Sequence, residues 1–125
     1  MAGESLHEDP KILGPDILDR HRAISTLMEE LEAIDWYDQR IQATGNTELR
    51  ALLSHNRDEE AEHASMLLEW LRRNDAGIDR QLRRYLFTSG PIGEAGAAAL
   101  AAGRTGQTSS ASGLAIGGLR AEELK

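Results

Sequence analysis

The stretch TELRALLSHNRDEEAEHASMLLEWLRRN, residues 47–74, decides the fold of this chain. One stripe of positions recurs along it at steps of three and four residues, and neither Gly nor Pro interrupts it. That stripe consists of Leu53, Asn56, Glu60, His63, Leu67 and Trp70. A second, apolar stripe runs beside it through Leu49, Leu52, Ala64, Leu68 and Leu71. The spacing predicts a long amphipathic helix from about Thr47 to Asn74.

A second long helix is predicted before this one, over residues 16–43, where Gly and Pro are again absent. Gly14-Pro15 is typical of a helix start, because proline suits the first helical position. Its main stripe is Ala23, Leu27, Glu30, Ile34, Tyr37 and Ile41, and a neighbouring apolar stripe is Ile24, Met28 and Leu31. Since each long helix has more than one apolar face, we expect the chain to associate with further copies.

The two long helices are separated only by Thr44-Gly45-Asn46, with Gly45 expected to end the first and Asn46 to cap the second. A break this short favours antiparallel packing. A shorter third helix is predicted from Ile78 to Leu86, and Pro91 is expected to end regular structure. The fold class is therefore all-α, an antiparallel two-helix hairpin plus a short C-terminal helix.

The composition narrows the possible functions. The chain has 125 residues, room for one domain, and a net charge of −7 at pH 7. Such an acidic chain repels nucleic acid and anionic membranes, so we expect neither nucleic acid nor a membrane as a partner. The same negative charge favours the binding of cations. The absence of Cys excludes disulfides and thiol chemistry. Without a secretory signal or a long apolar run, we expect a cytoplasmic protein.

The composition changes after Pro91 to Gly, Ala, Ser and Thr, and seven of the 12 Gly lie there. We expect residues 91–112 to be a disordered linker, because little apolar surface is available to offset the entropy of ordering. Residues 1–14 are interpreted as a flexible lead-in and residues 15–90 as the helical domain. Residues 113–125 form a terminal peptide with an apolar cluster at Leu114, Ile116 and Leu119.

Glu30 in the first helix and Glu60-Ala-Glu-His63 in the second lie in the main stripes. A buried carboxylate needs a partner or a metal ion. The spacing of three places Glu60 and His63 side by side on one helix face. A Glu from one helix and a Glu-x-x-His from another are half of a di-iron carboxylate site. Because the chain carries each part once, we infer that two identical chains complete the site.

Other interpretations of these residues remain open. The acidic run at residues 59–62 is typical of a solvated face, and ion pairing explains it as well as metal binding does. Carboxylate and imidazole ligands suit iron or manganese, and also zinc. Tyr37 either reaches the metal or is a packed residue with a hydrogen-bonded hydroxyl. Glu29 and Glu32 either form an acidic access route for cations or are solvated charges.

Four stretches of the chain resemble the encapsulated ferritins. They are HRAISTLMEELEAIDWYDQR at residues 21–40, HNRDEEAEHA at 55–64, LEWLRRN at 68–74 and YLF at 85–87. The segment LAIGGLR at residues 114–120 resembles the peptide that docks cargo inside encapsulin shells. The order of these pieces along the chain strengthens the resemblance.

The resemblance implies that the hairpin dimerises into a ferritin-like four-helix bundle and that five dimers form a ring-shaped decamer. It implies a ferroxidase centre of two iron ions per dimer, held by Glu30, Glu60 and His63 of both chains, with Tyr37 beside it. Glu29 and Glu32 match residues on the iron access route of the family.

The resemblance also implies a cellular location and a binding partner. The chain is expected inside a cytoplasmic encapsulin nanocompartment, which stores and detoxifies the iron that the chain oxidises. Its shell contacts are expected through Leu114, Ile116 and Leu119. Two alternatives belong to other classes of protein. One is a metal-binding or sensing bundle without turnover, and the other is a structural adaptor.

Overall fold

A computed structural model of the chain describes residues 6–94. It contains three helices, α1 at Pro10–Ala43, α2 at Thr47–Asn74 and α3 at Ala76–Tyr85. Each of these elements is helical, which confirms the predicted all-α class. Residues 95–125 lie outside the described range, so the expectations for most of the linker and for the terminal peptide stay predictions.

Helices α1 and α2 form an antiparallel hairpin. Residues early in α1 meet residues late in α2, as shown by Arg20 Nη1, which donates to the carbonyl oxygen of Asn74 at 3.5 Å. Residues late in α1 meet residues early in α2, as shown by the Arg57 Nε donation to Asp38 Oδ1 at 2.8 Å. The predicted hairpin is therefore confirmed. Helix α3 belongs to a second compact unit that begins at Asp75.

Helix α1 begins earlier than its sequence pattern indicated. The Asp9 side chain accepts a hydrogen bond from the Lys11 amide and caps a helical turn that starts at Pro10. Gly14, at φ 80° and ψ 164°, then interrupts the helix. The uninterrupted helix starts at Pro15 as predicted, but the expectation of an unstructured lead-in as far as residue 14 is wrong at residues 10–13.

The loop between α1 and α2 differs from the prediction in one respect. Thr44, not Gly45, caps α1 in an extended conformation, and Gly45 has no positive φ. The Arg50 guanidinium donates to the carbonyl oxygens of Ile41 and Thr44, so the helix end needs no left-handed glycine. The predicted cap of α2 is confirmed, because Asn46 Oδ1 accepts from the Leu49 amide at 2.9 Å.

The predicted third helix is confirmed with shifted bounds. Asp75 Oδ1 accepts from the Ile78 amide at 2.9 Å, so α3 starts two residues before the predicted position. Residues 92–94 are also helical, whereas a linker conformation was expected from residue 91. Pro91 suits a position just before a helical turn, because its fixed φ is already helical.

The hairpin has a thin core. The buried apolar residues of the described range are Ala23, Ala64 and Leu71, and no large side chain is fully enclosed. Six larger apolar side chains of the predicted stripes are exposed, namely Ile24, Met28, Leu31, Leu49, Leu52 and Trp70. No helix of the described part is long and apolar enough to cross a membrane.

Candidate metal centre

The predicted ligand set comes together in the middle of the hairpin. Helix α1 supplies Glu30, and α2 supplies Glu60 and His63 from adjacent turns of one face. One possible ligand atom from each of the three residues lies within 4.8 Å of the others. Within residues 6–94, these three residues form the group of His, Asp and Glu side chains with metal-ligand spacing.

The imidazole of His63 lies between the two carboxylates. Its Nδ1 atom is 3.5 Å from Glu60 Oε2 and 3.7 Å from Glu30 Oε2. These separations are too long for strong hydrogen bonds. The Glu30 and Glu60 side chains are 19% and 23% exposed, whereas that of His63 is 44% exposed. The centre is therefore shielded on the carboxylate side and open on the histidine side.

The two carboxyl groups interact directly with each other. A hydrogen bond with Glu60, followed by burial and by the Glu60 charge, raises the pKa of Glu30 above its ordinary value. The neighbouring His63 lowers the pKa, but its effect is smaller. The contact disfavours the ionised form of Glu30, because two negative charges side by side repel each other. A divalent cation between the carboxylates would offset that repulsion.

The donor set fits a divalent transition metal. Ligand atoms about 2.1 Å from one ion lie within about 4.2 Å of each other, so the observed cluster needs only a small contraction. Two carboxylates and one imidazole are ligands that iron, manganese and zinc accept. Three ligands from one chain would leave coordination positions of the ion open.

Tyr37 and the two acidic residues of the predicted access route lie outside this cluster. Tyr37 is half-buried and seven residues from Glu30, which is about 10 Å along the helix axis. The Arg40 guanidinium lies 5.9 Å from the centre of its ring. Glu29 is half-buried and Glu32 is exposed. Their predicted roles therefore depend on surroundings beyond a single chain.

One pair near the centre was not predicted. Arg57 and Asp38 join α2 to α1 at a point one helical turn from Glu60. The sequence does contain a signal, because Arg57 is the only Arg or Lys between residues 41 and 71 apart from Arg50. Its partner follows from the register of the two helices, which the sequence pattern alone does not give.

Comparison with known proteins identifies relatives over most of the chain. The EncFtn-like family profile matches residues 5–89. An encapsulated ferritin-like protein of Rhodospirillum rubrum is 50% identical over 131 aligned positions, which cover 98% of this chain and 92% of that protein. A ferritin-like protein of Thermotoga maritima is 52% identical over 91 positions, covering 73% of this chain and 80% of the relative.

Two further similarities extend the comparison. The encapsulin nanocompartment cargo protein EncC of Myxococcus xanthus is 41% identical over 71 positions, covering 53% of this chain and 55% of EncC. A crystal structure of a Nitrosomonas europaea protein matches with a TM-score of 0.69 and 53% sequence identity. That match covers 71% of this chain and 98% of the solved chain. The hairpin is therefore a known arrangement, reproduced at high sequence identity.

Proposed function

The chain belongs to the EncFtn-like family, and on that premise we propose that it is a ferroxidase that oxidises Fe²⁺ with dioxygen. The reaction takes place at a di-iron centre that two copies of the chain build together. The observation that carries this proposal is the cluster of Glu30, Glu60 and His63. It has the ligand chemistry of half a di-iron carboxylate site, and a cation would offset the repulsion that raises the pKa of Glu30.

The need for a second copy has two independent supports. One chain supplies three ligands, fewer than two metal ions require, and the cluster is open on the side of His63. The hairpin also exposes apolar residues on both helices, among them Leu31 and Leu52, each more than half exposed. A two-fold axis at this face doubles the ligand set and covers the apolar surface in one step. The product is the four-helix bundle predicted from the sequence.

Each ligand residue has a distinct task in the proposed reaction. Glu30 and Glu60 supply anionic oxygens, so four carboxylates from two chains balance the charge of two Fe²⁺ ions. His63 supplies a neutral nitrogen, because a protonated imidazole cannot bind a metal. The bound Fe²⁺ pair, which is the substrate, supplies the electrons that reduce dioxygen. The protein holds the two ions at a fixed separation and shields them on the carboxylate side.

The supporting residues keep the roles proposed for them by resemblance. Tyr37 is placed next to the centre of the assembled dimer, and Glu29 and Glu32 are placed along the route by which Fe²⁺ arrives. The strong negative charge of the chain supports such a route, since it raises the local concentration of cations.

The proposal extends to the assembly of the chain and to its partner. We propose a decameric ring of five dimers, held as cargo inside an encapsulin shell that stores the iron. A relative from Myxococcus xanthus carries the name of an encapsulin cargo protein. The segment proposed to contact the shell is residues 113–125, through Leu114, Ile116 and Leu119. Several tails on one ring engage the shell together, which raises the overall affinity.

The oxidation of Fe²⁺ by the purified full chain in air tests the activity directly. We expect ferric absorbance to rise through many turnovers and to be lost in Glu60→Gln and in His63→Ala. Glu59→Gln is the matched control, because Glu59 is exposed and pairs with His55 at 2.6 Å instead of joining the cluster. Iron binding without turnover would support the sensing alternative, and absence of binding would leave the structural adaptor.

The shell partnership is tested by removing residues 113–125. The truncated chain should oxidise Fe²⁺ as fast as the full chain, because the tail carries none of the proposed ligands. It should fail to co-purify with encapsulin shell protein expressed alongside it. Unchanged co-purification would contradict the proposed docking role of Leu114, Ile116 and Leu119.

A further inference from the structure

The middle of the hairpin has an unusual distribution of charge. Residues 23–39 and 51–71 together contain ten Asp and Glu but only one Arg and no Lys. The single permanent cation is Arg57, and it lies one turn from Glu60. A guanidinium stays protonated at every working pH, so its charge cannot be removed by loss of a proton. Its position must therefore be controlled by a partner.

That partner is Asp38 on α1. Arg57 Nε donates to Asp38 Oδ1 at 2.8 Å, and the Asp38 carboxylate raises the pKa of the Arg57 guanidinium further above its ordinary value. The side chains are 36% and 53% exposed. Exposed ion pairs contribute little to stability, so stability alone is a weak reason for this contact. The more important effect of the contact is that it fixes the position of the positively charged Arg57 guanidinium.

Without Asp38, α2 offers Arg57 the Glu60 carboxylate one helical turn away. Arg57 and Glu60 lie on the same face of α2, because both contact α1. Side chains three and four residues away are neighbours on a helix, and those of Arg57 are Leu53, Ser54, Glu60 and Ala61. The charge of the adjacent Asp58 also raises the pKa of Arg57, but consecutive residues point in different directions, so Asp58 is poorly placed for a paired contact. Only Glu60 among these neighbours is acidic.

An Arg57–Glu60 pair would act against the metal centre. A guanidinium forms two parallel hydrogen bonds with a carboxylate and occupies the oxygen lone pairs that a metal ion needs. Its positive charge beside Glu60 would also repel an incoming cation. Metal binding would then require the ion pair to break first, which lowers the apparent affinity.

We propose that Asp38 is a positioning residue that holds the Arg57 guanidinium away from Glu60 and so keeps the metal centre free for Fe²⁺. This inference rests on the proposed function, because it concerns the affinity of that same site. Asp38 binds no metal ion itself and acts through Arg57. The inference predicts an asymmetry between the two partners, since loss of Asp38 frees a competing cation and loss of Arg57 does not.

The experiment is a calorimetric titration of the full chain with Fe²⁺ under anaerobic conditions. Asp38→Asn should weaken binding by about tenfold, which corresponds to about 1.4 kcal/mol. Arg57→Gln should bind Fe²⁺ at least as tightly as the unaltered chain. The double variant Asp38→Asn/Arg57→Gln should recover the lost affinity, and Asp38→Glu should retain it because the carboxylate is kept. Circular dichroism establishes that each variant keeps its helical content.

The outcomes separate this inference from the proposed function. If the pair is only a structural clamp, Arg57→Gln and Asp38→Asn weaken binding equally and the double variant stays weak, which overturns the inference. Unchanged affinity in Asp38→Asn overturns it as well. If the unaltered chain fails to bind Fe²⁺, the proposed function falls, and the inference falls with it.

Discussion

The contact between Glu30 and Glu60 places two acidic groups where each disfavours the charge of the other. The pKa of Glu30 is raised above 4.5 by the hydrogen bond with Glu60, by burial and by the Glu60 charge. The arrangement suits a metal ligand and does not suit the stability of the metal-free chain. Such conflicts between local stability and arrangement are expected at functional sites.

The pH dependence of the metal-free chain tests this conflict. Because the folded pKa of Glu30 lies above its unfolded value, the folded chain holds the extra proton, and the free energy of unfolding falls as pH rises from about 4.5 towards neutral. In Glu30→Gln that decline should be smaller and Fe²⁺ binding should be lost. Thermal unfolding of both chains across this pH range, with a chelator present, measures the difference. Parallel pH profiles would contradict the assigned contact.

The pKa of Glu69 is shifted in the opposite direction to that of Glu30. Hydrogen bonds from Arg72 and Arg73 lower its pKa to about 2. Its stabilising effect is therefore present above about pH 4.5 and is lost as pH falls through about 2. Because its side chain is 38% exposed, Glu69→Gln should cost less than about 1 kcal/mol at neutral pH. Urea unfolding at pH 7 and at pH 3 should show a larger loss at pH 7.

The helices show which parts of the structure follow from sequence periodicity. Stripes at steps of three and four predicted α1 and α2 with the ligands on facing sides, because a helix repeats every 3.6 residues. The prediction that Gly45 ends α1 was wrong. The Arg50 side chain donates hydrogen bonds to the carbonyl oxygens at the end of the helix, so a left-handed glycine is not needed there. The Asp38–Arg57 contact was missed, because it depends on the register between helices rather than on periodicity within one.

The first turn of α2 is capped by the side chain of Asn46. Asn46 accepts a hydrogen bond from the Leu49 amide, one of the free amides of the first turn. Asn46→Ala should lower the free energy of unfolding by about 1 kcal/mol, the usual effect of losing such a cap. Asn46→Ser should lose much less, because serine caps equally well. A chemical denaturation series on the three chains measures both changes, and equal stability of Ala and Asn would contradict the cap.

The small core of the described range supports the proposal that the molecule is one part of a larger assembly. Buried apolar residues of the described range are few, and the middle of each helix exposes side chains that normally pack. The extra apolar stripes of the sequence led to the same expectation of a second copy, which stays a prediction. The sequence does not give the number of copies, because many arrangements of hairpins cover the same stripes.

Substitution on the exposed apolar face should weaken association. Leu52 is 58% exposed and eight residues from Glu60, so Leu52→Gln leaves the ligands in place. Burial of a leucine contributes about 1.5–3 kcal/mol, and a two-fold interface loses it twice, so the dimer dissociation constant should rise by more than about tenfold. Fe²⁺ oxidation should fall at low protein concentration and recover at high concentration. Sedimentation measured alongside should show the same dependence, and an unchanged mass would exclude Leu52 from the interface.

Native mass spectrometry after anaerobic addition of Fe²⁺ tests most directly the claim that two chains share one di-iron centre. We predict iron only in species with an even number of chains, at two ions for each pair, and none on single chains. Glu60→Gln should remove the iron from every species. Iron bound to single chains of the unaltered protein, or paired chains that carry none, would contradict the shared centre.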